Sequence, residues 1–356
     1  MHWLKRNDFF FLLSCLFLLS CEQGKQGEYS IPKFKQEFKR EFEIIGQELD
    51  LGRVSSITSY KGNLILVGQN RWTRQYLQVV DKKTGKILHS SVAFGRGPGE
   101  VLTQPWYSQV GQECYLYDPA LEATQVYDLE KILQGGVGYG RTIRELNPEV
   151  SPLGIFYGPE GKAYFSNESF SQRDSSRTVS RIILEHGLTR FTYNEYPVSD
   201  RVRTWWMYMT PYLTFSPDFG KMAVVPAYGA ILERFSLAGG ISLLGADRFI
   251  EPDFILKNNN PDFSEHAIPY GFSSLTSTNE RIIVGMVEDV VSGTGTRNQE
   301  FPRFPVLAVF DWNGRPLIRI RNSLNIECLG YDEEEDVIYA VVRDIEDSRY
   351  LGRMKL

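Results

Sequence analysis

The stretch Phe94-Gly95-Arg96-Gly97-Pro98-Gly99-Glu100 offers the most distinctive chemistry in the chain. Proline holds φ and glycine reaches conformations closed to other residues, so this composition sets an unusual backbone path. Two uses fit it. Successive N–H groups could cradle an anion, with Arg96 and Glu100 as ligand anchors. Alternatively the loop is a structural clasp, in which Arg96 and Glu100 bond backbone or each other. It is neither a Walker loop nor a dinucleotide fingerprint, because no helix-opening Lys-Ser/Thr and no further glycine pattern follow. Stacking is the second chemistry on offer. Trp106 lies in Pro105-Trp106-Tyr107, and Arg203-Thr204-Trp205-Trp206 sets a guanidinium beside two indoles. Flat aromatic faces near an arginine suit sugar rings, aromatic groups or an extended peptide. Packing between structural units is the other use for the same side chains.

Catalytic and metal-binding patterns are sparse. His2, His89, His186 and His266 fall at no metal-ligand spacing and join no Cys–His cluster, so no metal site is expected. Asn258-Asn259-Asn260-Pro261-Asp262 holds oxygen ligands suited to calcium but reads better as a turn or insertion. Glu333-Glu334-Glu335-Asp336 reads as a solvated hairpin turn. No Gly-x-Ser-x-Gly elbow occurs, and spacing nominates no Ser–His–Asp set. No cofactor is expected, and the catalytic residues, if there are any, cannot be named.

The amino terminus reads as an address. Lys5-Arg6 precedes an apolar run from Phe9 to Leu19, too short for the ~20 residues of a bilayer span. The run ends Leu18-Leu19-Ser20-Cys21, which resembles the bacterial lipobox, where cleavage leaves a lipidated cysteine. Leu12-Leu13-Ser14-Cys15 has the same pattern, but cleavage there would leave an apolar stub, whereas the chain turns polar directly after Cys21. The expected division is a signal peptide over 1–20, a lipidated Cys21 with a polar tether over 21–33, and one folded domain over 34–356. Two or more acyl chains suffice for stable anchoring, so the membrane is a partner through lipid, at the cell envelope and most simply the outer membrane. Loss of Lys5, Arg6 and Asp8 with the leader takes the net charge from −5 to −6. Mild acidity without a basic face argues against nucleic acid.

Positioning such residues requires a scaffold, and the chain carries one as a repeat. A short segment, a tight polar turn and a strongly β-prone segment recur six times, the β-prone part beginning at Leu64, Cys114, Ala163, Met222, Ile282 and Val337. The intervals of 49 to 60 residues suit four-stranded propeller blades with insertions. A second hairpin follows in most copies, as in Leu77–Val80 with Lys86–Val92 and in Ala123–Tyr127 with a turn at Asp128-Leu129-Glu130. The last copy has room for three strands, so Phe38–Ile45 is predicted to supply its fourth and remove an unpaired edge. The expected fold is therefore all-β: a six-bladed β-propeller of four-stranded blades, the last closed by an N-terminal strand. Cys114 and Cys328 fall two blades apart around the ring and are expected as buried free thiols.

With the lipobox and the six-copy pattern, Gly95-Arg96-Gly97-Pro98-Gly99-Glu100 resembles the signature of the Bacteroidetes TolB-like six-bladed β-propeller lipoproteins. The resemblance covers nearly the whole chain and implies fold and export; it implies no reaction. The leading functional expectation is a non-catalytic binding or scaffold protein whose partner is an envelope protein or a glycan or peptide ligand. The alternative is a propeller-type hydrolase or lactonase with a cation in its central channel.

Overall fold

The computed structural model describes residues 32–144, 154–169, 179–185, 188–196, 212–226, 229–250, 255–257, 260–262, 271–287 and 304–356. Ile31–Leu356 is one compact unit. Strands β1 (Gln36–Lys39) and β2 (Glu43–Ile45) open it. The first sheet holds β3 (Leu51–Tyr60), β4 (Asn63–Asn70), β5 (Gln75–Asp81) and β6 (Ile87–Ala93). The second holds β7 (Trp106–Val110), β8 (Glu113–Asp118), β9 (Ala123–Asp128) and β10 (Tyr139–Ile143), with helix α1 (Leu129–Leu133) before its last strand. The third holds β11 (Ile155–Tyr157), β12 (Ala163–Ser169), β13 (Val179–Glu185) and β14 (Leu188–Tyr196). The fourth holds β15 (Tyr212–Phe215), β16 (Lys221–Val225), β17 (Ala230–Ser236) and β18 (Ser242–Ile250), followed by a hairpin of β19 (Ile255–Lys257) and β20 (Asn260–Asp262). The next holds β21 (Phe272–Ser277), β22 (Arg281–Met286), β23 (Val306–Asp311) and β24 (Pro316–Arg321); the last holds β25 (Asn325–Asp332), β26 (Val337–Arg343) and β27 (Arg349–Lys355).

The second strand of each sheet explains the arrangement. In β4, Leu64 and Leu66 pack with Cys328 and Tyr339 of the last sheet, while Ile65 and Val67 pack with Cys114 and Leu116 of the second. In β8, Cys114 and Leu116 face the first sheet, while Tyr115 and Tyr117 face Ile155 and Tyr157 of the third. In β26, Tyr339 and Val341 face the first sheet, and Ile338, Ala340 and Val342 face Ile283 and Leu307. Side chains alternate across a strand, so a continuous apolar run is apolar on both faces and needs a neighbour on each side. The core is accordingly a series of slabs between successive sheets. The innermost strands meet in turn: β3 with β7, β7 with β11, β15 with β21, β21 with β25, and β25 with β3. The Tyr164 and Phe215 rings, 5.4 Å apart, join the third and fourth sheets. This is a β-propeller of antiparallel blades.

Three expectations need correction. Not every sheet has four strands: among the described residues five do, one has five strands, in the order β1-β24-β23-β22-β21, and β19-β20 form a two-stranded sheet. Second, Phe38–Ile45 is not one closing strand. Phe38 lies in β1, which pairs in parallel with β24, and only Glu43–Ile45 pairs with β27 to complete the last sheet. The cause lies between them, where Phe42 turns into the core against Gly352 and Glu41 accepts the Ser323 N–H and hydroxyl, splitting the segment. Third, Asp128-Leu129-Glu130 is no hairpin turn. Asp128 caps α1 by accepting the Glu130 N–H at 2.9 Å, and Leu129 and Ile132 are buried. Cys114 and Cys328 are buried free thiols, pushed up from the ordinary thiol range chiefly by burial, Cys328 to about 12.

A buried ion cluster holds the first sheet to the last. Lys82 Nζ lies 2.7 Å from Asp332 Oδ2 and 2.8 Å from Glu335 Oε1, and the Ser59 hydroxyl donates to Asp332 at 2.8 Å. Burial alone would raise the Asp332 carboxyl, but hydrogen bonds from Lys82 and Ser59 outweigh it and hold the group below its ordinary 3.8. Its stabilisation is therefore complete above 3.8 and is lost as pH falls through the lowered folded value. Lys82→Met leaves both carboxylates without their cation and should cost about 3–5 kcal/mol. Urea unfolding near neutral pH measures that loss. The acid-unfolding midpoint should also move to higher pH, because burial then acts on Asp332 unopposed.

Candidate functional site

The innermost strand of each sheet pairs on one side only, so its other edge is free to face the axis. Two of them, β3 and β21, are rich in serine and threonine, and several hydroxyls stitch sheet to sheet. Thr58 Oγ1 and the Tyr107 hydroxyl are 2.9 Å apart. Ser108 Oγ accepts the Tyr157 N–H at 2.8 Å, Ser274 Oγ accepts the Leu329 N–H at 3.0 Å, and Thr214 and Ser277 hydroxyls lie 3.3 Å apart. Unpaired N–H groups of the inner edges thus find acceptors on neighbouring sheets.

Between the strands lies a cavity of ≈ 580 Å³. Its wall contains stretches of β3, β7, β11, β15, β21 and β25, and its charged members are Lys61, Asp332, Glu333 and Glu334, all where the first two strands of a sheet turn. Trp106 stands in this wall, partly buried. Its indole meets the Phe156 ring edge-on at 5.6 Å, and a Cβ on Gly154 would come within 3.1 Å of it. Tyr107 donates to Gln109 Oε1 at 2.8 Å, and burial pushes its phenol well above the usual range, so that wall stays neutral. Phe219 also lines the cavity, with φ of 54°, a backbone conformation that a bulky side chain rarely adopts. Its ring packs 5.5 Å from Phe215.

The glycine-rich loop does something different. Gly95 N–H donates to Val101 O at 3.0 Å and Val101 N–H to Ala93 O at 3.1 Å, lacing its two ends. Glu100 turns back into the loop: its carboxylate accepts the Gly97 N–H at 2.6 Å and fills the space where Gly95 and Gly97 lack side chains. Gly99, at φ of 71°, lies against the Tyr139 ring and its carbonyl accepts the Tyr127 hydroxyl at 2.7 Å. Just beyond the loop, buried Asp118 accepts the Leu102 and Thr103 N–H groups and the Thr103 hydroxyl. Arg96 is exposed, and neither it nor Glu100 is in the cavity wall. This geometry fits the clasp.

Of the described ligand-binding candidates Arg96, Glu100 and Trp106, Trp106 alone is placed in the cavity. Cys21, Arg203, Trp205 and Trp206 lie outside the described residues, as do Asn258 and Asn259, whose neighbours Asn260–Asp262 form β20. Glu333 and Glu334 are exposed at the cavity rim, while Glu335 belongs to the Lys82 cluster. Among the described residues, no three His, Cys, Asp or Glu side chains gather as ligands for a metal. Sequence inspection passed over Phe156, Tyr212, Phe215, Phe219 and Thr276; their one shared signal is position, each on or just after the first strand of a repeat.

No family profile matches the chain, and no curated protein matches its sequence. Solved structures do match its shape. A Bacteroides fragilis protein described as exported aligns over 90% of this chain and 99% of its own, with 11% identity and a TM-score of 0.54. U3-55K aligns over 89% of this chain and 98% of its own, with 10% identity and a TM-score of 0.52. A regucalcin from Agrobacterium tumefaciens, described as calcium-binding, aligns at 10% identity with a TM-score of 0.48, over 91% of this chain and 98% of its own. At these identities the first two likenesses speak to the fold, a β-propeller, and to nothing at the site.

The clasp and an anchoring role for Arg96 separate by experiment. Gly99→Ala forces a strained φ and a clash with Tyr139, and should cost about 1–3 kcal/mol in thermal unfolding. Arg96→Ala should leave stability within about 0.5 kcal/mol.

Proposed function

We propose that the protein is an exported, lipid-anchored binding protein of the cell envelope, with a ring of six blades that holds a small ligand in its axial cavity without transforming it. The count of six takes the sheet containing β1 as a blade with an added outer strand. The observation that carries the binding role is the cavity: ≈ 580 Å³, on the axis, walled by β3, β7, β11, β15, β21 and β25 with aromatic rings and hydroxyls among their side chains. A largely preformed concavity with a few polar groups among apolar ones is the usual form of a small-molecule site. Its charged groups sit at the turns, and Asp332 is already engaged by Lys82 and Ser59, which favours holding a ligand over acid–base work on one. Anchoring through Cys21 rests on the lipobox-like Leu18-Leu19-Ser20-Cys21, and kinship with the TolB-like propeller lipoproteins rests on the loop from Gly95 to Glu100. Arg203, Trp205 and Trp206 remain candidates for extending the site.

Two measurements test this. Expressed with its leader in a Gram-negative host, the chain should incorporate an alkyne fatty acid, and Cys21→Ala should abolish the label; a label that survives refutes the anchor. Protein purified from the envelope, denatured and extracted should release a co-purified small molecule detectable by mass spectrometry. A cavity-filling variant, Ser56→Trp with Thr276→Trp, should release none. Equal recovery from both would place binding elsewhere.

A further inference from the structure

The cavity wall is not uniform around the axis. Seven of its nine aromatic side chains come from the second, third and fourth sheets, among them Trp106, Phe156, Tyr212 and Phe215; the other two are Tyr60 and Tyr331. Seven of its ten serines and threonines come from the two sheets that begin with β21 and β3, among them Ser56, Thr58, Ser274 and Thr276, while the β25 sheet between them contributes none. The inner strands follow one another around the axis in chain order, so the two arcs face each other across the space. One wall is a bank of rings, and the wall opposite carries two banks of hydroxyls, on β21 and β3, with Leu329 and Tyr331 of the last sheet between them.

Availability sharpens the picture. Thr58, Ser59 and Ser274 already bond neighbouring sheets. The hydroxyls of Ser56 and Thr276 engage no partner among the described residues and line the cavity. Between the two mouths the described wall carries no charged side chain, so a charged ligand would shed its hydration there without a counter-charge.

We infer that the ligand is a neutral saccharide, one pyranose face lying on the aromatic arc around Trp106 and its hydroxyl edge turned to Ser56 and Thr276. This deepens the binding role proposed above and depends on it. A pyranose has a C–H face that suits an aromatic ring and a rim of hydroxyls that both donate and accept. Serine and threonine hydroxyls also do both, so the opposite wall can meet either need. Gly154 lies against the indole, so closely that a Cβ there would come within 3.1 Å of it. Each good ring contact carries much of the affinity, and the hydroxyls set orientation.

Isothermal titration provides the test, using linear neutral hexasaccharides of glucose, xylose, mannose and N-acetylglucosamine, with oligogalacturonate and heparin hexasaccharide as charged counterparts. At least one neutral sugar should bind with a dissociation constant below about 1 mM. Trp106→Ala should weaken it about tenfold or more, Trp106→Phe should restore most of the affinity, and Thr276→Val should cost about three- to tenfold. Circular dichroism and thermal unfolding establish that each variant is folded. The inference fails if no neutral sugar binds at about 10 mM, if the charged oligosaccharides bind in preference, or if folded Trp106→Ala binds as the parent does. A co-purified compound that is not a sugar, lost from the cavity-filled variant, would sink the saccharide and leave the binding cavity standing. Neutral-sugar binding unchanged in the cavity-filled variant would sink both.

Discussion

A strand that is apolar on both faces has no stable place at the end of a stack. Leu64-Ile65-Leu66-Val67 in β4 and Val337–Val342 in β26 are of this kind, each sending alternate side chains into two separate slabs of core. Burying one leucine-sized side chain stabilises by about 1.5–3 kcal/mol, and each such strand buries several on either side. An open row of these sheets would leave one apolar face bare at each end. The row must therefore bend into a ring, where the first sheet covers the last. The closure is visible as a core slab joining Leu64, Val80, Cys328 and Leu351, and as the Lys82–Asp332–Glu335 cluster beside it.

Closing the ring creates the axial site as a by-product. Second strands can be apolar on both faces because they lie mid-sheet, but the first strand of every sheet has one edge without a partner. Its N–H and carbonyl groups need polar company, and the small hydroxyls of Ser108, Ser274 and Ser277 supply it from neighbouring sheets at little cost in volume. The hydroxyl-rich lining thus has a structural cause before it has any functional one. The aromatic arc needs a further explanation. Trp106, Phe156 and Tyr212 are bulkier than sheet-to-sheet stitching requires, and they narrow one side of the cavity.

What could be read from the sequence follows from how local each signal is. Strand alternation and glycine or Asx turns are contained within ten residues, so the repeat was legible even though no two copies share much identity. The paired strand at Glu43–Ile45 was legible as a missing fourth strand. That Phe38 belongs to another sheet was not, because the break depends on Phe42 meeting Gly352 across the chain. The glycine-rich loop was conspicuous for its composition, yet composition does not tell which way a carboxylate points; Glu100 points inward, into the gap its own glycines leave. The Lys82–Asp332 pair joins residues 250 positions apart and lies in two ordinary-looking turns. The cavity wall is the least legible part, since the first strand of each repeat contributes only a few residues to it.

The division of labour among the hydroxyls limits what such a site can recognise. Those that tie sheets together hold fixed orientations and are already spent as donors or acceptors, so they present the ligand with a shape more than with a hydrogen-bond code. Only a few groups, Ser56 and Thr276 among them, are left to choose between stereoisomers. Affinity then comes mainly from ring contact, which reads shape and charge, while stereochemical choice depends on a small number of side chains. A propeller organised in this way can keep one fold and one cavity while changing its ligand through two or three substitutions on the inner strands. The ties that close the ring lie outside that set, so such changes leave the scaffold intact.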